Sequence, residues 1–146
     1  MSDRIAALQT LLTRLIDSRD GYRTSINHVA SAPVRDVLEE FLARRDRDAE
    51  ELRGYLARNG HVIEDGGSAL AAVHRGFVGL KDTVSGSDDA GTLAEIVRGE
   101  KLLLESYEAA IAAETGADPE YGFLLEQHQS LKAAIAHLQA RHDLAA

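Results

Sequence analysis

Apolar residues recur at three- and four-residue steps along four long stretches of this chain, and little interrupts them. That spacing puts them on one face of a helix. The first stretch, from about Asp3 to Ser31, carries Leu8, Leu11, Leu12, Leu15, Tyr22, Ile26 and Val29. The second starts at the break Ser31-Ala32-Pro33 and runs to Asn59-Gly60, with Val34, Val37, Leu38, Phe41, Leu52 and Leu56. The third, about Asp89 to Thr115, carries Leu93, Val97, Leu104, Tyr107 and Ile111, and the last, opened by Asp118-Pro119, carries Tyr121, Leu124, His128, Leu131, Ile135, Leu138 and His142. Ser or Asp stands before each start, where its side chain can cap free backbone N–H groups, and Pro33 and Pro119 fit a first helical turn. Helices this long with one apolar face bury it only against each other, so the spacing predicts an all-α bundle. A shorter amphipathic helix, Ser68 to Val84, is expected between the second and third long ones.

Composition agrees and excludes several function classes. The chain has 146 residues, enough for one domain over residues 1–146 with a real core. There is no Cys, which removes disulfides, thiolate chemistry and Cys-ligated metal. The formal charge of -8 disfavours nucleic acid and anionic lipid as partners. No apolar run is long enough to span a membrane, and the start MSDRIAAL lacks the layout of a signal peptide, so a cytoplasmic protein is expected.

Each long helix also carries a polar residue where its stripe should be apolar. These are Ser18 or Arg19, then Arg45 and Asp48, then Glu100, and last His128. Folding the hairpins back brings Ser18 near Arg45 and Asp48, and His128 near Tyr107. Two readings follow. In one, the layer is a buried polar network of Arg19, Tyr22, Arg45, Asp48, Glu100, Tyr107 and His128. Glu100 then pairs with Arg19 or Arg45, Asp48 with Arg45, and Tyr107 with His128, because buried charges are costly unless paired. In the other, Glu100, Asp48 and His128 are the remains of a metal site for iron, manganese or zinc.

A di-iron or di-manganese bundle site takes a Glu from two helices and a Glu-x-x-His from the other two. Here Glu100 is suitably placed. The equivalent position on the first helix is Leu15, seven residues before Tyr22 as Glu100 is before Tyr107. The second helix offers Glu50 with Arg53, and the last offers Glu126 with Gln129. No Glu-x-x-His occurs in the chain. The polar network is therefore the expected reading, with no cofactor and no catalytic group. His74 and Arg75, just before Phe77, are expected to anchor the connecting helix onto the bundle.

The chain resembles a bacterial family of ferritin-like four-helix-bundle proteins known only as a domain of unknown function. The resemblance lies in Asp17, Gly21 and Tyr22, in His74, Arg75, Gly76, Phe77, Leu80 and Lys81, in Gly86, Asp88 and Asp89, and in Gly99, Glu100 and Tyr107. It implies a ferritin-like bundle of four long helices with a short crossover helix between two hairpins. It carries no activity over. The expected role is non-enzymatic, through self-association, a homodimer first, or through a protein partner, with stress as its setting.

Overall fold

The computed structural model describes residues 2–61, 88–114 and 122–146. Four long helices make up these residues: α1 (Ser2–Ser25), α2 (Ala32–Arg58), α3 (Asp89–Ala113) and α4 (Gly122–Ala145). No strand occurs among the described residues, and none of their helices is long and apolar enough to cross a membrane. The expected connecting helix, with His74, Arg75 and Phe77, lies outside the described residues, as do Asp118, Pro119 and Tyr121.

α1 packs along both α2 and α3, and α4 packs along α3. α2 and α4 meet more sparingly, through the Tyr55–Phe123 and Phe41–His137 ring pairs, with centroids 5.5 Å and 5.8 Å apart. Arg4 against Glu114, Ser18 against Glu100 and Ala30 against Asp89 make α1 and α3 antiparallel. Every neighbouring pair around the bundle is antiparallel in the same way, so the diagonal pair α2 and α3 is parallel. α2 therefore ends beside the start of α1, and α3 begins at the opposite end, beside the α1–α2 turn.

Local chemistry sets the helix ends. α1 stops at Ser25, not at the expected Ser31. Ile26–His28 tighten into a 3-10 turn and Val29 is extended. The cause lies on α3: the Asp89 carboxylate accepts hydrogen bonds from the Ala30 and Ser31 backbone N–H groups (2.9 and 3.1 Å), which takes them out of any continuing helix. Asp88 does the capping, accepting from Gly91 N at 2.9 Å. Ser31 caps α2 through Val34 N. At the other end of α2, Gly60 takes φ +84, and His61 N and Gly60 N bond back to Leu56 O and Ala57 O. A residue with a Cβ would be strained there.

The buried residues keep a seven-residue step on every helix. On α1 they include Leu8, Leu11, Leu15, Tyr22 and Ser25, with Val29 continuing the step beyond its end, and on α2 Val34, Leu38, Phe41, Arg45, Leu52 and Tyr55. Two expected stripes hold in part: Leu93, Val97 and Tyr107 on α3 and Leu124, Leu131 and Leu138 on α4 are buried as expected, and the remaining places shift by one residue. On α3 the inner positions are Leu103 and Ala110, and Leu104 and Ile111 pack on the flank. On α4 they are Gln127 and Ala134, and His128 and Ile135 stand beside them, partly exposed. The apolar core falls into two clusters. One holds Leu8 to Ile16 with Ala49 to Leu56 and Leu103 to Ala110; the other holds Tyr22 to Phe41 with Leu93 to Val97. Between them lies a layer of polar side chains.

Candidate functional site: the buried polar layer

α3 delivers Glu100 to the centre of the bundle, where it is 2% exposed. One carboxylate oxygen accepts from the Ser18 hydroxyl of α1 at 2.5 Å. The other accepts from the Tyr22 hydroxyl of α1 (2.8 Å) and from Nε of Arg45 on α2 (2.9 Å). Arg45 Nη2 lies 2.8 Å from that same oxygen but outside hydrogen-bonding geometry. Arg45 is 1% exposed. Burial alone would lower its guanidinium; the facing Glu100 carboxylate overrides this and raises it, so it stays charged. Burial first, then Glu100, push the Tyr22 hydroxyl well above its ordinary value, which keeps it a donor.

The second half of the layer lies toward α4. Arg45 Nη1 donates to Asp48 at 3.2 Å. Tyr107 of α3 donates to Gln127 Oε1 of α4 at 2.6 Å, and Gln127 Nε2 donates to Glu51 of α2 at 2.8 Å. Burial pushes the Asp48 carboxyl up to about 6; Arg45 pulls against this and Glu51 adds to it. Burial, then Asp48, hold the Tyr107 hydroxyl well above its usual value.

The two expected pairs through Arg45, with Glu100 and with Asp48, are both present as contacts. Arg19 does not reach Glu100: its guanidinium sits 3.0 Å from Asp20 and 3.9 Å from Asp46. His128 does not reach Tyr107. It lies on the outer side of α4, 3.4 Å from the exposed Glu108 carboxylate, and Gln127 takes the inner position instead. Both residues fit a three-four step between Leu124 and Leu131, so periodicity alone does not choose between them. An amide settles the competition, since one group accepts from Tyr107 and donates to Glu51 without carrying charge into the core.

As a set, these donors suit an ion pair and not a cation site. Three donors converge on Glu100, and one of them is a permanent positive charge. No group of three or more His, Asp or Glu that could hold a metal ion occurs among the described residues, and His128 stands apart from Glu100 and Asp48.

Two further polar features were not signalled by the stripes. Ser25 and Thr92, both fully buried, have hydroxyls with no hydrogen-bond partner. At the α1 start, Arg4 donates to Glu114 at 2.7 Å and to the Tyr55 hydroxyl, and its guanidinium lies 5.6 Å from the Tyr55 ring centroid. This ties α1, α2 and α3 together at the end opposite the Asp89 clip. No curated protein and no solved structure matches the chain at a significant level. A family model does match, over residues 3–113, which takes in α1, α2, α3 and with them Ser18, Tyr22, Arg45, Asp48, Glu100 and Tyr107; the chain belongs to the family described as Domain of unknown function (DUF2383).

Proposed function

We propose that this chain is a ferritin-like bundle whose polar interior is a structural lock, and that it acts through self-association, as a homodimer first, or through a protein partner. The topology supports the fold: α2 and α3 run parallel, with the end of one and the start of the other at opposite ends of the bundle, as a single long crossover requires. The observation that carries the functional reading is the Arg45–Glu100 pair at 2.8 Å. In a bundle that works on a metal, the central carboxylates face a cation with free lone pairs. Here a guanidinium occupies that place and repels a second cation, and Ser18 and Tyr22 complete the coordination of the carboxylate. Buried ion pairs of this kind serve best as registry devices, because a slip of either helix strands a charge in the core.

A partial metal site for iron, manganese or zinc on Glu100, Asp48 and His128 has no comparable support. Arg45 sits on both carboxylates and the imidazole faces elsewhere. Elemental analysis of untagged protein from metal-supplemented culture, paired with its solution mass, tests the proposal. It expects metal far below one equivalent and a mass above the 15.8 kDa of one chain. A stoichiometric metal lost on Glu100→Ala would overturn it in favour of the metal site.

A further inference from the structure

We propose that two copies of this chain meet across the outer groove between α1 and α3, related by a two-fold axis that sets Arg14 of each copy against Glu105 of the other. The inference rests on the self-association reading above and adds the surface and its geometry.

The groove has a volume of about 300 Å³ and opens to solvent. Its α1 wall is built from Ala6, Thr10 and Arg14, and its α3 wall from Leu102, Glu105 and Ala109. Ala6, Thr10 and Ala109 are small, Arg14 and Glu105 are long and charged, and Leu102 is a large apolar side chain left 37% exposed. Arg14 and Glu105 are both exposed, and neither enters an ion pair among the described residues.

Register makes these two charges informative. The antiparallel packing that sets Arg4 against Glu114 and Ser18 against Glu100 puts Arg14 at the level of Glu105, on opposite walls of one groove. A two-fold axis lying along the groove between the copies, parallel to the helices, exchanges the walls and keeps every level. It therefore places the Arg14 of one copy over the Glu105 of the other, twice, with no other adjustment. This is what an isologous contact needs: a patch complementary to itself. The same rotation leaves Leu102, one turn from Glu105, at its own level, over the turn of the opposing α1 that follows Arg14.

Net charge narrows the choice of contact face. At -8, two copies repel across most of their surfaces, and association is favoured only where opposite charges face each other. The α1/α3 groove offers one cation and one anion at equal height.

Sedimentation velocity over a wide concentration range tests the contact, with circular dichroism to confirm that each variant folds. All three positions sit on exposed surface; Arg14→Glu also takes away the charge that acts on Asp17, so its urea midpoint is read beside its mass. Wild-type protein should dimerise. Arg14→Glu and Glu105→Arg should each weaken the dimer by about tenfold or more, and the double reversal should bring it back to near the wild-type level. Leu102→Asp should weaken it without rescue by either charge variant. A dimer indifferent to all three changes would remove this surface while leaving self-association standing. Loss in both single variants without recovery in the double would remove the two-fold pairing. A monomer at every concentration would remove the contact and the self-association reading together.

Discussion

On the α1/α3 side of the polar layer, Glu100 receives three donors and is sealed from water; on the α2/α4 side, Asp48 receives one, from the same guanidinium, and its side chain keeps 17% of its exposure. Both acids stand beside Arg45, and burial pushes the Asp48 carboxyl up to about 6 against it. A single positive charge cannot neutralise two buried carboxylates. The one with hydroxyl donors and the closer guanidinium contact is matched to it, and the other is left closer to water, where it can take a proton. For Asp48 a single donor does not offset what burial does to its carboxylate. Tyr22 and Tyr107 extend the contrast. Tyr22 donates to a charge and Tyr107 to a neutral amide.

The largest expected effect comes from removing the matched acid. Glu100→Ala leaves Arg45 buried without its main partner and strands the Ser18 and Tyr22 hydroxyls. Loss of about 3–5 kcal/mol is expected, read from the urea midpoint at constant m-value. The double variant Glu100→Gln with Arg45→Met should recover much of that loss, since a buried pair replaced by neutral groups of similar volume is often tolerated. If the single variant were near neutral, Glu100 would not be the sealed anchor that its contacts describe.

Next come the two tyrosines. Tyr22→Phe removes a hydrogen bond to a charged acceptor, costing about 1.5–3 kcal/mol, and Tyr107→Phe removes one to a neutral acceptor, costing about 0.5–1.5 kcal/mol. Tyr107→Phe also leaves Gln127 Oε1 without its Tyr107 donor, which narrows the gap. Equal costs in paired melts would erase the distinction between the two halves. Outside the layer, Asp89→Ala should cost about 1 kcal/mol by freeing two backbone N–H groups of the α1–α2 turn, one of them exposed and able to find water. The same loss in a variant that also lacks Tyr22 would show that clip and layer act independently.

How much of this was legible in the sequence differs between the halves as well. Arg45, Glu100 and Asp48 stand out because a charge inside an apolar stripe must find a partner, and three such charges on two helices leave few pairings. Gln127 stayed hidden. Leu124, Leu131 and Leu138 are compatible with two phases. One runs through Gln127 and Ala134; the other, through His128 and Ile135, has the larger apolar side chain. The inner face goes to the smaller pair. Ala134, like Ala110 on α3 and Ala49 on α2, lets helices approach, and the larger Ile135, Leu104 and Ile111 cover the seam from its flanks. Which phase wins depends on what faces it from other helices, and that information is not local. The Asp89 clip was hidden for the same reason: from sequence it is one of two adjacent acids able to cap α3, and only the position of the α1–α2 turn separates their tasks.

The smallest effect should have the opposite sign. Asp48→Asn keeps an oxygen to accept from Arg45 and deletes the unmatched charge, so at neutral pH it should leave stability unchanged or raise it slightly. The linkage follows from direction. Asp48 has a folded value of about 6, above its ordinary 3.8, so the folded state binds a proton more tightly than the unfolded chain does. Its stabilising contribution is complete below about 4 and is lost as pH rises through 6. For this pair of values the change is on the order of 1–2 kcal/mol once the solvent-facing edge of the side chain is allowed for. Asp17 titrates over the same window: burial lifts it to about 6 against Arg14, with Asp20 adding to the rise, and its Oδ1 has no partner. Urea midpoints between pH 4 and pH 7.5 should therefore fall with rising pH in the wild type, and by a visibly smaller amount in Asp48→Asn, with the remainder due to Asp17. An unchanged slope in that variant would mean that Asp48 does not titrate in this window and that the one donor it receives from Arg45 is enough to hold its charge against burial.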